Sequence, residues 1–165
     1  MTGNYLEQLA AEWYEYQGYV VRRNIFVGKL ARGGYECELD IVAFNPVTHH
    51  LVHVEPSMDA DSWATRERRY RKKFEAGQKY IPSILEGFQL PKAIEQIALL
   101  VFASKRDRET LAGGKLLLIP ELLEEILAAL RTRSLASSVV PEHLPLIRTL
   151  QFVAEYRKNV LDALS

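Results

Sequence analysis

Apolar positions along this chain change rhythm several times, and each change marks a predicted element. Leu6, Leu9, Ala10, Trp13 and Tyr14 recur at helical spacing behind a cap at Asn4, and Gly18 stops the helix. Tyr19 to Leu30 is rich in β-branched and aromatic residues and predicts a first strand. Gly33-Gly34 is a hairpin signal leading into a second strand that closes at Asn45-Pro46. Leu51 to Glu55 predicts the third strand, which Pro56 and the acidic run Asp59, Asp61 break. Asp61 or Ser62 then caps a helix over 63–81 that Pro82 ends. On it Trp63, Tyr70, Phe74, Gly77 and Ile81 share one face and should pack on the sheet. The run Ile97 to Phe102 suits a strand buried on both faces, and Lys115 to Ile119 a shorter one. Pro120 starts a helix to Leu130, Arg131 to Ser138 reads as a linker, and one last helix covers Pro145 to Leu164.

The order α-β-β-β-α-β predicts an α/β fold: a three-layer sandwich with a mixed central β-sheet and further C-terminal helices. Residues 1–133 form one α/β domain, and 134–165 a linker and a C-terminal helix packing on that domain or on a partner. A chain of 165 residues is long enough to bury such a core. Lysine plus arginine equal aspartate plus glutamate at 21 each, so charge balance announces no polyanionic partner and only local patches matter. The single cysteine, Cys37, allows neither an internal disulfide nor a cysteine-based zinc site. With no signal-peptide pattern and no membrane-spanning run, these features suggest a soluble, cytoplasmic protein.

Two carboxylates stand inside apolar strands. Asp40 lies between Leu39 and Ile41, and Glu55 ends the run Leu51, Val52, His53, Val54. An ionised carboxylate in such surroundings costs several kcal/mol unless it is paired or metal-bound. Two on neighbouring strands suggest a shared cation, and hard oxygen ligands suit Mg²⁺ or Mn²⁺. The carbonyl of Pro56 is a natural further ligand. His49, His50 and His53 carry no fixed ligand spacing, and the first two fall in a turn. Glu7, in the first helix, reads equally as a capping carboxylate and as a third acid of the site. Arg66 to Lys79 is strongly basic, through Arg66, Arg69, Arg71 and Lys72, and Lys105, Arg106 and Arg108 form a second basic group. A solvated charged face and a phosphate-tracking surface both fit this pattern.

The stretch GYECELDIVAF followed by LVHVEPS resembles the PD-(D/E)XK nuclease superfamily, whose restriction-endonuclease-like core has the α-β-β-β-α-β order. Asp40 matches the motif aspartate, Glu55 the glutamate, and Glu7 the first-helix glutamate of many members. The opening GNYLEQLAAEWYEYQGYVVRRN also resembles archaeal Holliday-junction resolvases, and the similarity runs from Thr2 to Ser104. The resemblance implies Mg²⁺-dependent hydrolysis of phosphodiester bonds in nucleic acid, DNA before RNA, and a homodimer. It departs at Ser57, where the family has its lysine. In some members that basic group comes from the following helix, and Lys73 is then the best candidate, with Gln78 in a region where a subset places a glutamine. The catalytic set so implied is Glu7, Asp40, Glu55, Ser57 and Lys73. The alternatives are a catalytically inactive nuclease-fold module, or structural carboxylates paired with Arg22 or Arg23.

Overall fold

The computed structural model describes residues 4–106 and 108–165. Helix α1 (Tyr5–Tyr16) leads into strands β1 (Val20–Lys29), β2 (Tyr35–Asn45) and β3 (His50–Ser57). Helix α2 (Trp63–Ile84) precedes β4 (Glu95–Leu100), the two-residue β5 (Thr110–Leu111) and β6 (Gly114–Leu118). Helices α3 (Ile119–Leu130), α4 (Pro145–Glu155) and α5 (Arg157–Leu164) complete the chain. The strands make one mixed sheet in the order β1-β2-β3-β4-β6-β5, so the chain is an α/β protein with helices on both faces of its sheet. β1, β2 and β3 form an antiparallel meander, and β4 returns parallel to β3 through the α2 crossover.

Local chemistry explains most boundaries. The Asn4 side chain accepts from the Leu6 amide at 3.0 Å, and Ser62 Oγ accepts from the Thr65 amide at 3.3 Å, so each helix starts on its cap. Gly33 and Gly34 both take positive φ, which the β1–β2 turn requires. One sheet face packs on α1, α3 and α4 through Leu6, Ala10, Trp13, Ile41, Val54, Ile126 and Ile147. The other packs on α2, where Tyr70, Phe74, Gly77 and Ile81 are buried as their spacing predicts.

Four expectations need correction. β3 does not stop before Pro56 but continues to Ser57, paired with β4. The ladder from β3 to β2 has already ended at Val54, so the amide proton that proline lacks is not needed there. α2 runs through Pro82, which sits exposed in its last turn, where water reaches the unbonded carbonyl of the preceding turn. The strand expected to reach Phe102 ends at Leu100, and Phe102 is exposed. The last helix is two helices, interrupted at Tyr156. α4 belongs to the main core, whereas α5 buries no residue and exposes Leu161 and Leu164. No helix among the described residues is long and apolar enough to cross a membrane.

Candidate active site

β2 and β3 part company where the two carboxylates stand. Their ladder pairs Asn45 with His50 and ends with Ile41 opposite Val54, so Asp40 and Glu55 face one another at the first unpaired step. Glu55 turns its carboxylate into the fork, and its Oε1 accepts the Asp40 amide at 3.1 Å in place of a ladder bond. On the opposite side of β2, Asn24 is the residue facing Asp40 in the β1 register. It adopts a positive φ of 51°, and the β1–β2 pairing skips it. The inward-facing alternation slips here. Leu39 packs against α2, Ile41 against α1, and Val42 and Phe44 again against α2. Asp40 is thus presented at a local irregularity of two strand pairs.

Helix α2 closes the fork. Its turn carrying Phe74 and Gly77 is seated on the sheet, which directs Lys73 inward. Lys73 Nζ donates to Asp40 Oδ1 at 2.9 Å and to the Glu38 carbonyl at 2.6 Å, and lies 2.7 Å from Glu55 Oε2. The expected pairing of the carboxylates with Arg22 or Arg23 does not occur. Arg22 instead donates to the Ile84 carbonyl at 2.9 Å. Behind Glu55, the fully buried His53 brings Nε2 to 2.7 Å from Oε1, and the Tyr70 hydroxyl donates to the Glu55 carbonyl at 3.0 Å.

The electrostatics follow from this crowding. Burial, and then the adjacent Glu55, push the Asp40 carboxyl up to about 8. Burial would also raise Glu55, but the hydrogen bond from His53 and the charge of Lys73 outweigh it and hold Glu55 below the ordinary range. Of the two, Asp40 is the carboxyl whose neutral form these surroundings favour. Lys73 is raised well above its usual value despite its burial, because both carboxylates favour its charged form. It is a permanent cation and not a base.

The remaining sequence candidates are placed as follows. Ser57 Oγ is engaged by the Asp59 carboxylate and lies 3.2 Å from Arg69 Nη2. Arg69 also binds Asp59 and, at 3.0 Å, Asp61. Arg66 is buried and spends its guanidinium on Asp59 and on the carbonyls of Asp59 and Phe102, so it faces no solvent phosphate. Arg71 pairs with Glu67 at 3.0 Å, and Lys105 with Glu121 at 2.7 Å and Glu109 at 3.3 Å. Lys72 and Arg106 are exposed. Gln78 is exposed and donates to Gln96 at 3.2 Å. Glu7, on α1, makes no hydrogen bond or ion pair with Asp40, Glu55 or Lys73.

The Ser57 carbonyl accepts from Val101 at 3.3 Å on the β4 side, so strand alternation directs the Pro56 carbonyl to the other edge, into the fork. Two hard carboxylates and that carbonyl suit Mg²⁺ or Mn²⁺, ions that keep several waters and need few protein ligands. No group of three or more His, Cys, Asp or Glu side chains with metal-holding geometry occurs among the described residues, so any such ion would rest on this smaller set. Gln96, which the sequence reading missed, and His53, which it named only as a histidine without ligand spacing, both stand beside Glu55. The signal available was period-two spacing, which sets His53 on the same face as Glu55. Comparison with protein-family models, curated proteins and solved structures returns no match.

Proposed function

We propose that this chain is a metal-dependent nuclease that hydrolyses phosphodiester bonds in nucleic acid, DNA in the first instance. Its site would be a PD-(D/E)XK-like one whose lysine comes from helix α2 instead of β3. The observation that carries this reading is the position of Lys73 Nζ, within 2.9 Å of both Asp40 Oδ1 and Glu55 Oε2. In this reading that ammonium would supply the charge that Ser57 lacks.

In this reading Asp40, Glu55 and the Pro56 carbonyl would hold Mg²⁺ or Mn²⁺. The ion, when bound, supplies Lewis-acid polarisation of the phosphoryl group and lowers the pKa of a bound water. Glu55 would offer Oε2, which lies 2.7 Å from Lys73 Nζ, while Oε1 is held by His53 and the Asp40 amide. Lys73, being permanently charged, orients water and offsets charge developing on the phosphate without taking a proton. Exposed Lys72 and Arg106 contribute phosphate attraction, which positions a strand without reading its sequence.

A second reading is supported by Ser57, whose hydroxyl is already taken by Asp59 and Arg69, and by Lys73, which by itself compensates both carboxylates. Such a chain would bind nucleic acid or a protein partner without cleaving it. The deciding experiment incubates the purified chain with duplex DNA, single-stranded DNA and RNA under Mg²⁺ or Mn²⁺. The nuclease reading expects cleavage that Asp40→Asn and Glu55→Gln each reduce to background. Salt-sensitive binding with no product on any substrate would establish the second.

A further inference from the structure

Behind the carboxylate pair lies a chain of hydrogen-bonded groups that runs from buried His53 through half-buried Gln96 to exposed Gln78. His53 is 0 % exposed and is wedged against α2, with its ring edge-on to Phe74 at 5.6 Å between centroids. Helix α2 makes room for it at Gly77, where a Cβ would overlap the imidazole itself. This packing fixes the ring plane. Its hydrogen bonds fix its protons. The Phe74 carbonyl can only accept, and Gln96 Nε2 donates to it at 2.8 Å, so the Gln96 amide has one orientation. The Gln78 side chain agrees, donating to Gln96 Oε1 at 3.2 Å. The same Gln96 nitrogen lies 3.2 Å from His53 Nδ1, which must therefore accept. The ring proton is then on Nε2, 2.7 Å from Glu55 Oε1.

We infer that His53 is a positioning residue for Glu55: Gln96 sets its tautomer, and its Nε2–H holds Oε1 so that Oε2 alone faces Lys73 and is left to serve as a ligand. The inference rests on the reading of Asp40, Glu55 and Lys73 as a metal-binding phosphodiesterase site, and it assigns Glu55 a single-oxygen role there. Oε1 already accepts the Asp40 amide at 3.1 Å, so with His53 it has no capacity left. Removing the ring would free the carboxylate to rotate and would leave Glu55 buried without its neutral donor. Groups that orient a metal ligand from behind typically change affinity by about 10–100-fold when lost.

The test has two arms on the full chain. Long-range ¹H–¹⁵N correlation of the native imidazoles at pH 7.5 should show His53 neutral with its proton on Nε2, and a proton on Nδ1 overturns the inference. Mn²⁺ titration followed by calorimetry should give His53→Leu an affinity at least about tenfold below native, with His53→Gln, whose amide nitrogen replaces Nε2, returning to within about threefold. Equal affinity for native and His53→Leu overturns it. Absence of Mn²⁺ binding by the native chain sinks the metal-dependent reading instead, while the tautomer still decides whether Glu55 is held as described. The spectroscopic arm uses native protein, so it decides even where His53→Leu fails to fold.

Discussion

Two glutamates are buried among the described residues, on opposite faces of the sheet, and they are stabilised in different ways. Glu12, on α1, is 4 % exposed, and its Oε2 accepts the Leu146 and Ile147 amides at 2.8 and 3.1 Å. Gln8 donates to its other oxygen at 2.8 Å. It caps the N-terminus of α4, where unpaired amides and the helix dipole favour negative charge. Glu55 is 2 % exposed, but it shares its cleft with a second carboxylate, a lysine and a histidine. Backbone donors fill one oxygen of Glu12 and tie α4 to the domain, and the Gln8 side chain holds the other. Glu55 sets one oxygen against the Lys73 ammonium, and the same surroundings favour the neutral form of its neighbour Asp40. A buried carboxylate is therefore no mark of a site until its partners are known. Capped by amides, it is structural. Crowded by charge, it is a candidate for chemistry.

The contrast can be broken or sharpened by experiment. The largest effect belongs to Lys73→Met, which removes the lysine shared by both carboxylates. Under the nuclease reading it should lower cleavage by about 10²–10³-fold. Single-turnover assays at saturating Mn²⁺ measure this, and unchanged rates would remove Lys73 from the mechanism. Glu12→Ala should cost about 2–3 kcal/mol in chemical denaturation, because it strips a helix cap with charge-assisted bonds. Its Mn²⁺ affinity should stay native, and a matching loss there would erase the distinction between the two glutamates.

A pH series tests the crowded side alone. A free aspartate titrates near 3.9, whereas the folded Asp40 carboxyl is pushed up to about 8. Between those values the folded chain binds the extra proton, so the contribution of Asp40 to stability falls as pH rises through that window. Glu55, held low, acts in the opposite sense and loses its contribution only as pH falls through its depressed folded value. The melting temperature of the native chain in chelator should therefore decline from pH 5 to pH 8.5, and Asp40→Asn should flatten that decline. An identical slope in both proteins would mean that the proton is not on Asp40. The smallest effect is Lys72→Ala. On this exposed residue stability should move by less than about 0.5 kcal/mol, and any nucleic-acid binding should lose about one unit of its salt slope.

Asn4, Ser62 and the paired Gly33-Gly34 act over a few residues, so their caps and turn were legible in the chain. The buried face of α2 followed from helical spacing for the same reason. Pro56 and Pro82 misled because whether a proline ends an element depends on whether its missing donor was needed, and that is set by distant neighbours. Glu7 drew attention by its spacing from a cap, but the glutamate with a structural task is Glu12, whose donors lie 134 and 135 residues further on. The basic run of α2 looked uniform, yet packing divides it into buried Arg66, paired Arg69 and Arg71, inward Lys73 and free-standing Lys72.

By itself the sequence determined the order of the elements, their apolar faces, and the presence of two carboxylates in want of a positive charge, since burial patterns and desolvation cost are properties of short stretches. Which positive charge meets them was decided only in three dimensions. The fork between β2 and β3, the seat of α2 on Gly77, and the reach of Lys73 depend on strand register and helix placement, which no local rhythm encodes. His53 lay in plain view as one more strand residue. Only the packing of α2 across the sheet made it the group behind Glu55.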